Sequence, residues 1–421
     1  MIKSSNDTIK TAIHIGVFDD SYIWMQEAKK LGYRIVATHP MEIEGKYYYN
    51  KVKDLIDEFH VVSYMNTDKL IQLARQFSVT LNIIHPCTND ASYAIGVVNS
   101  ALELKGITQS VAEKAASKEG WHNFLVENNL PRAKWCYRYN DIKNLENIEY
   151  PCIVKPNYGA GSQGIKKIYS SQELMNFMDT KEYNNGYYLT KDYDYYLVQE
   201  YTKAKYLVGC NSAVKDGKLI VFAHYVKNLN SLSEQLRQPY FYYEDGIYPT
   251  DDPNYMNDEN LKVMQELVDK LGVDNSAIRF DVFMDENKKI VSFVELNLRP
   301  GSSHSASCFH KIFGYNTTEE LIKLNTDLDV NFSPVPTARW KYMYCKNFRF
   351  TPGKIRSIKW PELDEHVHHF SSHLKPDTVI PPVWNVATAG LCGELLLLGE
   401  TKEQLLQKLD EFTRAIEIEY Y

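Results

Sequence analysis

No stretch of the 421-residue chain approaches the roughly 18–20 uninterrupted apolar residues that a membrane-spanning helix needs. The opening MIKSSNDTIKTAIHIG lacks the apolar run and cleavage site of a signal peptide, so the cytoplasm is expected, with no membrane partner. Basic charge is also short. Lys and Arg number 47 against 54 Asp and Glu, a net charge of −7, which argues against a broad nucleic-acid-binding face because phosphate-backbone affinity needs clustered cations. The seven cysteines (Cys87, Cys136, Cys152, Cys210, Cys308, Cys345, Cys392) include no CxxC pair, which suits a reduced compartment better than a disulfide framework or zinc ribbon. With 20 Gly and 16 Pro the chain is not collagenous or low in complexity. Its length suits two to four packed domains at roughly 100–200 residues each. One residue is in excess: there are 31 Tyr, and aromatics reach 13%.

Residues 11–105 alternate between strand and helix patterns. TAIHIGVF (11–18) is an apolar run closed by Asp19 and Asp20; a helical stretch to Lys30, Gly32 and YRIVATH (33–39) follow, the punctuation of a βαβ unit. FHVVSY (59–64), a helix over 67–78 with Leu70, Leu73, Ala74 and Phe77 on one face, and VTLNIIHP (79–86) continue it. A small doubly wound sheet is expected. Gly16 stands without the further glycines of a dinucleotide fingerprint, so it reads as a tight strand-to-helix turn. A helix is expected over 110–129, ended by Pro131, and another over 261–272, ended by Gly272.

Two segments carry chemistry. YPCIVKPNYGAGSQGIKKIY (150–169) is a strand, a glycine loop and a second strand; Gly159, Gly161 and Gly164 with Ser162 and Gln163 could fold backbone N–H groups over phosphate oxygens, with Lys155 just before them. It is not a Walker A loop, since no GK[ST] follows and the next element is a strand. AIRFDVFMDENKKIVSFVELNLRPGSSHS (277–305) is a hairpin turning through Asp285 to Lys288. Strand residues two apart share a face, which pairs Arg279 with Asp281 and Glu295 with Asn297 and lets Asp281 lie beside Glu295. Two carboxylates and an amide oxygen form a hard donor set suited to Mg2+ held partly by phosphates rather than to zinc. A solvated acidic face is the plain alternative. Val291, Phe293 and Val294 argue against it, because side-by-side carboxylates on a buried strand are costly without a cation.

Together these pieces resemble the ATP-grasp enzymes, and within them the ADP-forming carboxylate–amine (amino-acid) ligases. The resemblance rests on the α/β unit before residue 105, Lys118 thirteen residues before Pro131, IVKP with its glycine loop, the QEY segment at 199–201, and RFD followed by VELNLRPG. It covers nearly the whole chain and implies a mixed α/β and α+β multidomain fold. Its parts would be an N-terminal doubly wound parallel-sheet domain (1–107), an ATP-grasp lid subdomain with linker helix (108–195), a large subdomain with the metal site (196–332) and a small α+β domain (333–421). It further implies that Lys118, Lys155 and the loop Tyr158, Gly159, Gly161, Ser162, Gln163, Gly164 bind ATP phosphates, and that Gln199, Glu200 and Tyr201 form the adenine hinge. Asp281, Glu295 and Asn297 would bind Mg2+, with Mn2+ as an alternative. Arg279 would stabilise the transferring phosphoryl group, and Arg299, with Ser302 and His304 nearby, would contact the substrate carboxylate or acyl phosphate. Where family members often have an acidic ribose-binding residue this chain has Tyr206. Lys114 competes with Lys118, one turn earlier in the same expected helix.

The implied reaction couples a small-molecule carboxylate to an amine with release of ADP and phosphate; self-association as a homodimer is left open. The alternatives are a bicarbonate-using carboxylase-like enzyme and a non-catalytic nucleotide-binding relative. HVHHFSSH (366–373) could bind a transition metal but reads better as a surface strand, and Cys308 reads as a buried thiol. The 335–421 segment suggests a compact unit closed by a helix over 401–420. Tyrosines at 47–49, 183–196 and 240–248 lie in polar stretches, the last of them in a long segment where an acceptor pocket would form.

Overall fold

A computed structural model of the chain describes residues 10–18, 20–86, 91–143, 145–158, 164–180, 195–228, 246–249, 252–301, 305–382 and 386–421. Four parallel strands open it: β1 (Lys10–Ile15), β2 (Tyr33–His39), β3 (Glu58–Val61) and β4 (Val79–Asn82), in the order β3-β2-β1-β4. The crossovers are helices α1 (Ser21–Lys30), α2 (Tyr47–Val52) and α3 (Thr67–Gln76). Residues on β1 alternate between two cores: Ile13 and Ile15 face one, Ala12 the other. That two-sided burial is what a doubly wound sheet requires. Gly16 has φ +89, and a Cβ there would lie 2.7 Å from Tyr64 Oη, so the turn after β1 needs glycine.

The expected single helix over 110–129 is two. After α4 (Ser92–Leu102) come α5 (Gln109–Ala115) and α6 (Lys118–Glu127), separated because Ser117 leaves helical geometry and its hydroxyl accepts from the Gly120 N–H at 3.0 Å. Lys118 therefore opens a helix, and Lys114 lies on a different one. Both helices join a core shared with the first domain and the central sheet: Val111, Ala115, Trp121 and Phe124 pack in one cluster with Ile13, Phe280 and Phe293.

β5 (Cys136–Arg138), β6 (Cys152–Pro156), β7 (Lys166–Ile168) and β8 (Tyr196–Glu200) form an antiparallel sheet in the order β5-β8-β6-β7, with α7 (Ser171–Thr180) following β7. The expected lid boundary at 195/196 falls before β8, whose pairing with β5 and β6 places it in this sheet. β9 (Tyr206–Lys215) and β10 (Lys218–Asn228) turn through Asp216 and Gly217, both at positive φ, as a two-residue hairpin of this hand demands. β11 (Gly246–Tyr248) then leaves for another sheet. α8 (Asp258–Leu271) is capped by Asn257 and ends at Gly272, φ +72, as its sequence predicts. β12 (Ser276–Met284) and β13 (Ile290–Asn297) complete a central sheet ordered β10-β9-β12-β13.

After α9 (Ser305–Phe313) and α10 (Thr317–Lys323) the chain forms β14 (Tyr342–Asn347), β15 (Gly353–Lys359), β16 (Val367–Ser371), β17 (Val379–Ile380), α11 (Val386–Cys392), β18 (Glu394–Gly399), α12 (Lys402–Arg414) and β19 (Glu417–Tyr420). Two sheets result, β11-β14-β18-β16 and β17-β15-β19. The closing helix is shorter than expected, because EIEY pairs with β15 as a strand. Isoleucine and tyrosine alternating with glutamate favour that edge over a further helical turn. No helix among the described residues is long and apolar enough to cross a membrane.

Phe280 is fully buried where the central sheet meets α6 through Phe293 and Trp121. Phe280→Ala is expected to cost about 3–5 kcal/mol of stability, read as a lower denaturant midpoint with an unchanged slope.

Candidate functional site

The paired register of β12 and β13 sets Arg279 opposite Asn297 and Asp281 opposite Glu295. The side-by-side carboxylates expected from strand alternation are thus direct cross-strand partners. Asn297 Nδ2 donates to Glu295 Oε1 at 3.0 Å and to Asp281 Oδ2 at 3.4 Å, while its Oδ1 accepts from Arg299 Nη2 at 3.2 Å. A half-turn of this amide would aim its oxygen at the carboxylates instead. Burial raises the Asp281 carboxyl to about 6; Arg279 opposes the shift and Glu295 adds to it. Glu295 is desolvated too, yet the Lys118 charge, the Asn297 bond and the two arginines hold it below the usual carboxylate range. Two adjacent carboxylates, Asp281 buried and Glu295 half-buried, with no grouped His or Cys donor among the described residues, fit a hard divalent cation.

Arg279 is held from both sides. Its Nη2 donates to Asp281 Oδ1 at 3.1 Å and to Tyr225 Oη at 2.6 Å. Tyr225 sits on β10 opposite Gly209 of β9, and a Cβ at Gly209 would lie 2.1 Å from the tyrosine ring. The glycine lets the ring lie across the neighbouring strand and bring its hydroxyl to the guanidinium. Neither residue stands out in the sequence, since a Tyr–Gly cross-strand pair has no local signature. Arg299 is buried and also donates to the Pro300 carbonyl at 2.8 Å.

Lys118, Ser117, Trp121, Tyr158, Glu295 and Asn297 line a solvent-open cleft, together with Ser92 at the start of α4. Lys155, on β6, is only 8% exposed, and its ammonium makes no hydrogen bond or ion pair among the described residues. Burial lowers its ammonium to about 8, and Lys118 pushes in the same direction, while Cys136 and Glu295 oppose. A buried cation near a second cation is a place that an anion would stabilise. His122, one turn after Lys118, falls to about 4 through burial and the charges of Lys155 and Arg132.

Glu200 follows Gln199 at the end of β8, and its carboxylate accepts from the Lys134 N–H at 2.6 Å, tying the end of β8 to the segment that leads into β5. The Tyr201 ring lies under Lys167 Nζ, 3.6 Å from its centroid. Tyr206 packs edge-on against Tyr255. Gly159, Gly161, Ser162, Gln163, Ser302 and His304 lie outside the described residues, as do most of the 183–194 and 228–251 tyrosines. Tyr47 packs against Tyr48 and His373. The histidines of 366–373 disperse: His366 meets the Leu398 carbonyl, His368 meets Ser307 and His369 faces Glu394. Among the described residues no three His, Cys, Asp or Glu side chains are grouped to hold a metal ion. Cys308 is fully buried, and burial pushes its thiol up.

The chain has the ATP-grasp fold, seen in solved structures that superpose on nearly all of it. An L-amino acid ligase from Bacillus licheniformis matches with TM-score 0.73 and 15% identity, over 98% of this chain and 99% of its own. A phosphoribosylglycinamide synthetase from Anaerococcus prevotii matches with TM-score 0.66 and 17% identity, over 98% and 100%. The biotin carboxylase domain of a Hydrogenobacter thermophilus 2-oxoglutarate carboxylase, solved with MgADP, ADP and bicarbonate, gives TM-score 0.63 and 15% identity over 97% and 90%. Among curated proteins, a Saccharomyces cerevisiae urea amidolyase is 21% identical over 419 residues, covering 91% of this chain and 21% of its own. The C-terminal section of a Methanocaldococcus jannaschii carbamoyl phosphate synthase large chain is 28% identical over 89 residues, covering 20% of this chain and 14% of its own. The chain thus spans only a minor part of the curated relatives it matches. No protein-family model matches it.

Lys155 gives a pH-dependent prediction. Its folded value of about 8 lies below the ordinary 10.5, so the folded state carries a penalty that is full below pH 8 and is relieved as pH rises from 8 to 10.5. Lys155→Met should therefore stabilise the chain by up to about 3 kcal/mol at pH 7, with the gain shrinking across that window in denaturant titrations.

Proposed function

We propose that the chain is an ADP-forming carbon–nitrogen ligase that uses ATP to convert a small-molecule carboxylate to an acyl phosphate and couples it to an amine. The observation that carries this reading is the cross-strand Asp281–Glu295 pair in a cleft shared with Lys118, with the buried Lys155 ammonium near enough to feel the charges of both Lys118 and Glu295. Cations for phosphate oxygens beside hard oxygen donors are what triphosphate chemistry needs.

A carboxylate is a poor electrophile. When its oxygen attacks the terminal phosphorus, ADP leaves and the carbonyl carbon gains phosphate as a leaving group; the amine then attacks that carbon, phosphate departs and the nitrogen loses a proton. In this reading Lys118 and Lys155 hold the transferred phosphates, and Arg279, fixed between Tyr225 and Asp281, is positioned before the charge develops. Arg299 steers the substrate carboxylate or acyl phosphate, with Ser302 and His304 following it in the sequence. The 158–164 loop excludes water that would hydrolyse the intermediate. Asp281, Glu295 and Asn297 would hold Mg2+, with Mn2+ as the alternative, which when bound neutralises phosphate charge. Gln199, Glu200 and Tyr201 form the adenine side.

A second reading, carboxylation through bicarbonate, is supported by the likeness to the carboxylase domain solved with that anion. Phosphate release across a panel of carboxylates and amines, with and without bicarbonate, separates the two: turnover that needs both an acid and an amine supports the ligase. Bicarbonate dependence supports the second reading, and silence under every condition refutes both. Glu295→Ala should abolish ATP turnover, a loss of at least about a hundredfold, with the circular dichroism spectrum unchanged. Near-normal phosphate release by that variant sinks the metal assignment.

A further inference from the structure

Asn157 follows β6, just ahead of the glycine loop, and it is 2% exposed. Each of its four polar groups is used. Its carbonyl accepts from the Lys118 N–H at 3.0 Å and its Oδ1 from the Glu119 N–H at 2.9 Å. Its own N–H donates to the Tyr195 carbonyl at 3.0 Å, and its Nδ2 donates to Tyr195 Oη at 2.8 Å. Tyr195 Oη in turn donates to Glu119 Oε2 at 2.6 Å. Glu119 also receives two bonds from Arg138, at 2.6 and 2.7 Å, and the Arg138 guanidinium lies 4.6 Å from the Tyr195 ring centroid.

The topology makes this closed circuit informative. Arg138 ends β5, Tyr195 precedes β8 and Asn157 follows β6, so adjacent strands of the lid sheet each send one residue from the same edge. Their common target is the first turn of α6, which belongs to the core of the other subdomains. The first N–H groups of a helix have no partner within it. Here Ser117 takes that of Gly120, and Asn157 takes those of Lys118 and Glu119 from the far side of the subdomain junction. With its amides used, the helix end meets the cleft through the Lys118 side chain.

We infer that Asn157, Tyr195 and Glu119 form a polar latch that sets Lys118 and the base of the glycine loop at a fixed separation. They are positioning residues: they act through Lys118 and the loop and touch no reacting atom. The role assigned to Lys118 rests on the nucleotide reading above; the contacts do not.

The test uses the full chain and two readouts. Amide exchange at Lys118 and Glu119 reports the latch without any ligand, and calorimetric titration with MgADP reports its consequence. Asn157→Ala, which removes the side-chain acceptor of Glu119 and keeps the carbonyl that serves Lys118, should speed exchange at Glu119 about tenfold, with a smaller rise at Lys118, and weaken MgADP about five- to tenfold. Tyr195→Phe keeps the ring, folds more safely, and should give a smaller effect of the same kind. Asn157→Asp retains an acceptor for Glu119 and should restore protection at that amide. Unchanged exchange in both folded variants overturns the latch whether or not nucleotide binds. Faster exchange with MgADP affinity within about twofold of the parent overturns the positioning role, since a purely structural contact would behave that way. A parent chain that binds no MgADP refutes the nucleotide reading instead, and the exchange data still decide the latch.

Discussion

The site depends on one constraint: Asp281 and Glu295 are forced side by side by the register of two buried strands. Like charges at that distance in a desolvated place are unfavourable, and the surroundings are organised around them. Arg279 leans on Asp281, Asn297 bridges both carboxylates, and Lys118 acts on Glu295 from across the cleft. The result is unequal titration, with Asp281 pushed up and Glu295 held down.

Lys155 on β6 is the counterpart. Its ammonium is buried without a hydrogen-bond or ion-pair partner among the described residues, and Asp281 is desolvated as well, so a bound anion and cation could relieve both costs together. Functional sites commonly store such cost, and the packing of α6 sustains it here, since Trp121 and Phe124 root that helix in the shared core. Arg279 shows how support of this kind is built: Gly209 yields space, Tyr225 fills it, and the phenol fixes the guanidinium.

The grouping of Asp281, Glu295 and Asn297 was legible because strand alternation is a local rule, and residues two apart share a face wherever the strand ends up. The glycine caps and hairpin turns were legible for the same reason, as positive φ is a local demand that glycine meets. Sheet membership was not. β8 joined the lid and EIEY became a strand because each found hydrogen-bonding partners remote in sequence, an affinity no window of residues displays. The break at Ser117 was missed because apolar periodicity runs on through it, while the cap and the partner at Asn157 decide where the second helix begins.

By itself, then, the sequence determined the kinds of chemistry available: carboxylates and an amide on facing strands of one hairpin, a lysine just before a glycine loop, and no CxxC pair to hold zinc. Tertiary structure decided which of these groups meet and in what electrostatic state. Opposing Asp281 to Glu295, burying Lys155 near Lys118 and welding Lys118 to Asn157 all depend on long-range packing and cross-strand register. Those interactions act between residues that the linear order keeps apart, so only the folded chain fixes their distances, and with them the charges the site presents.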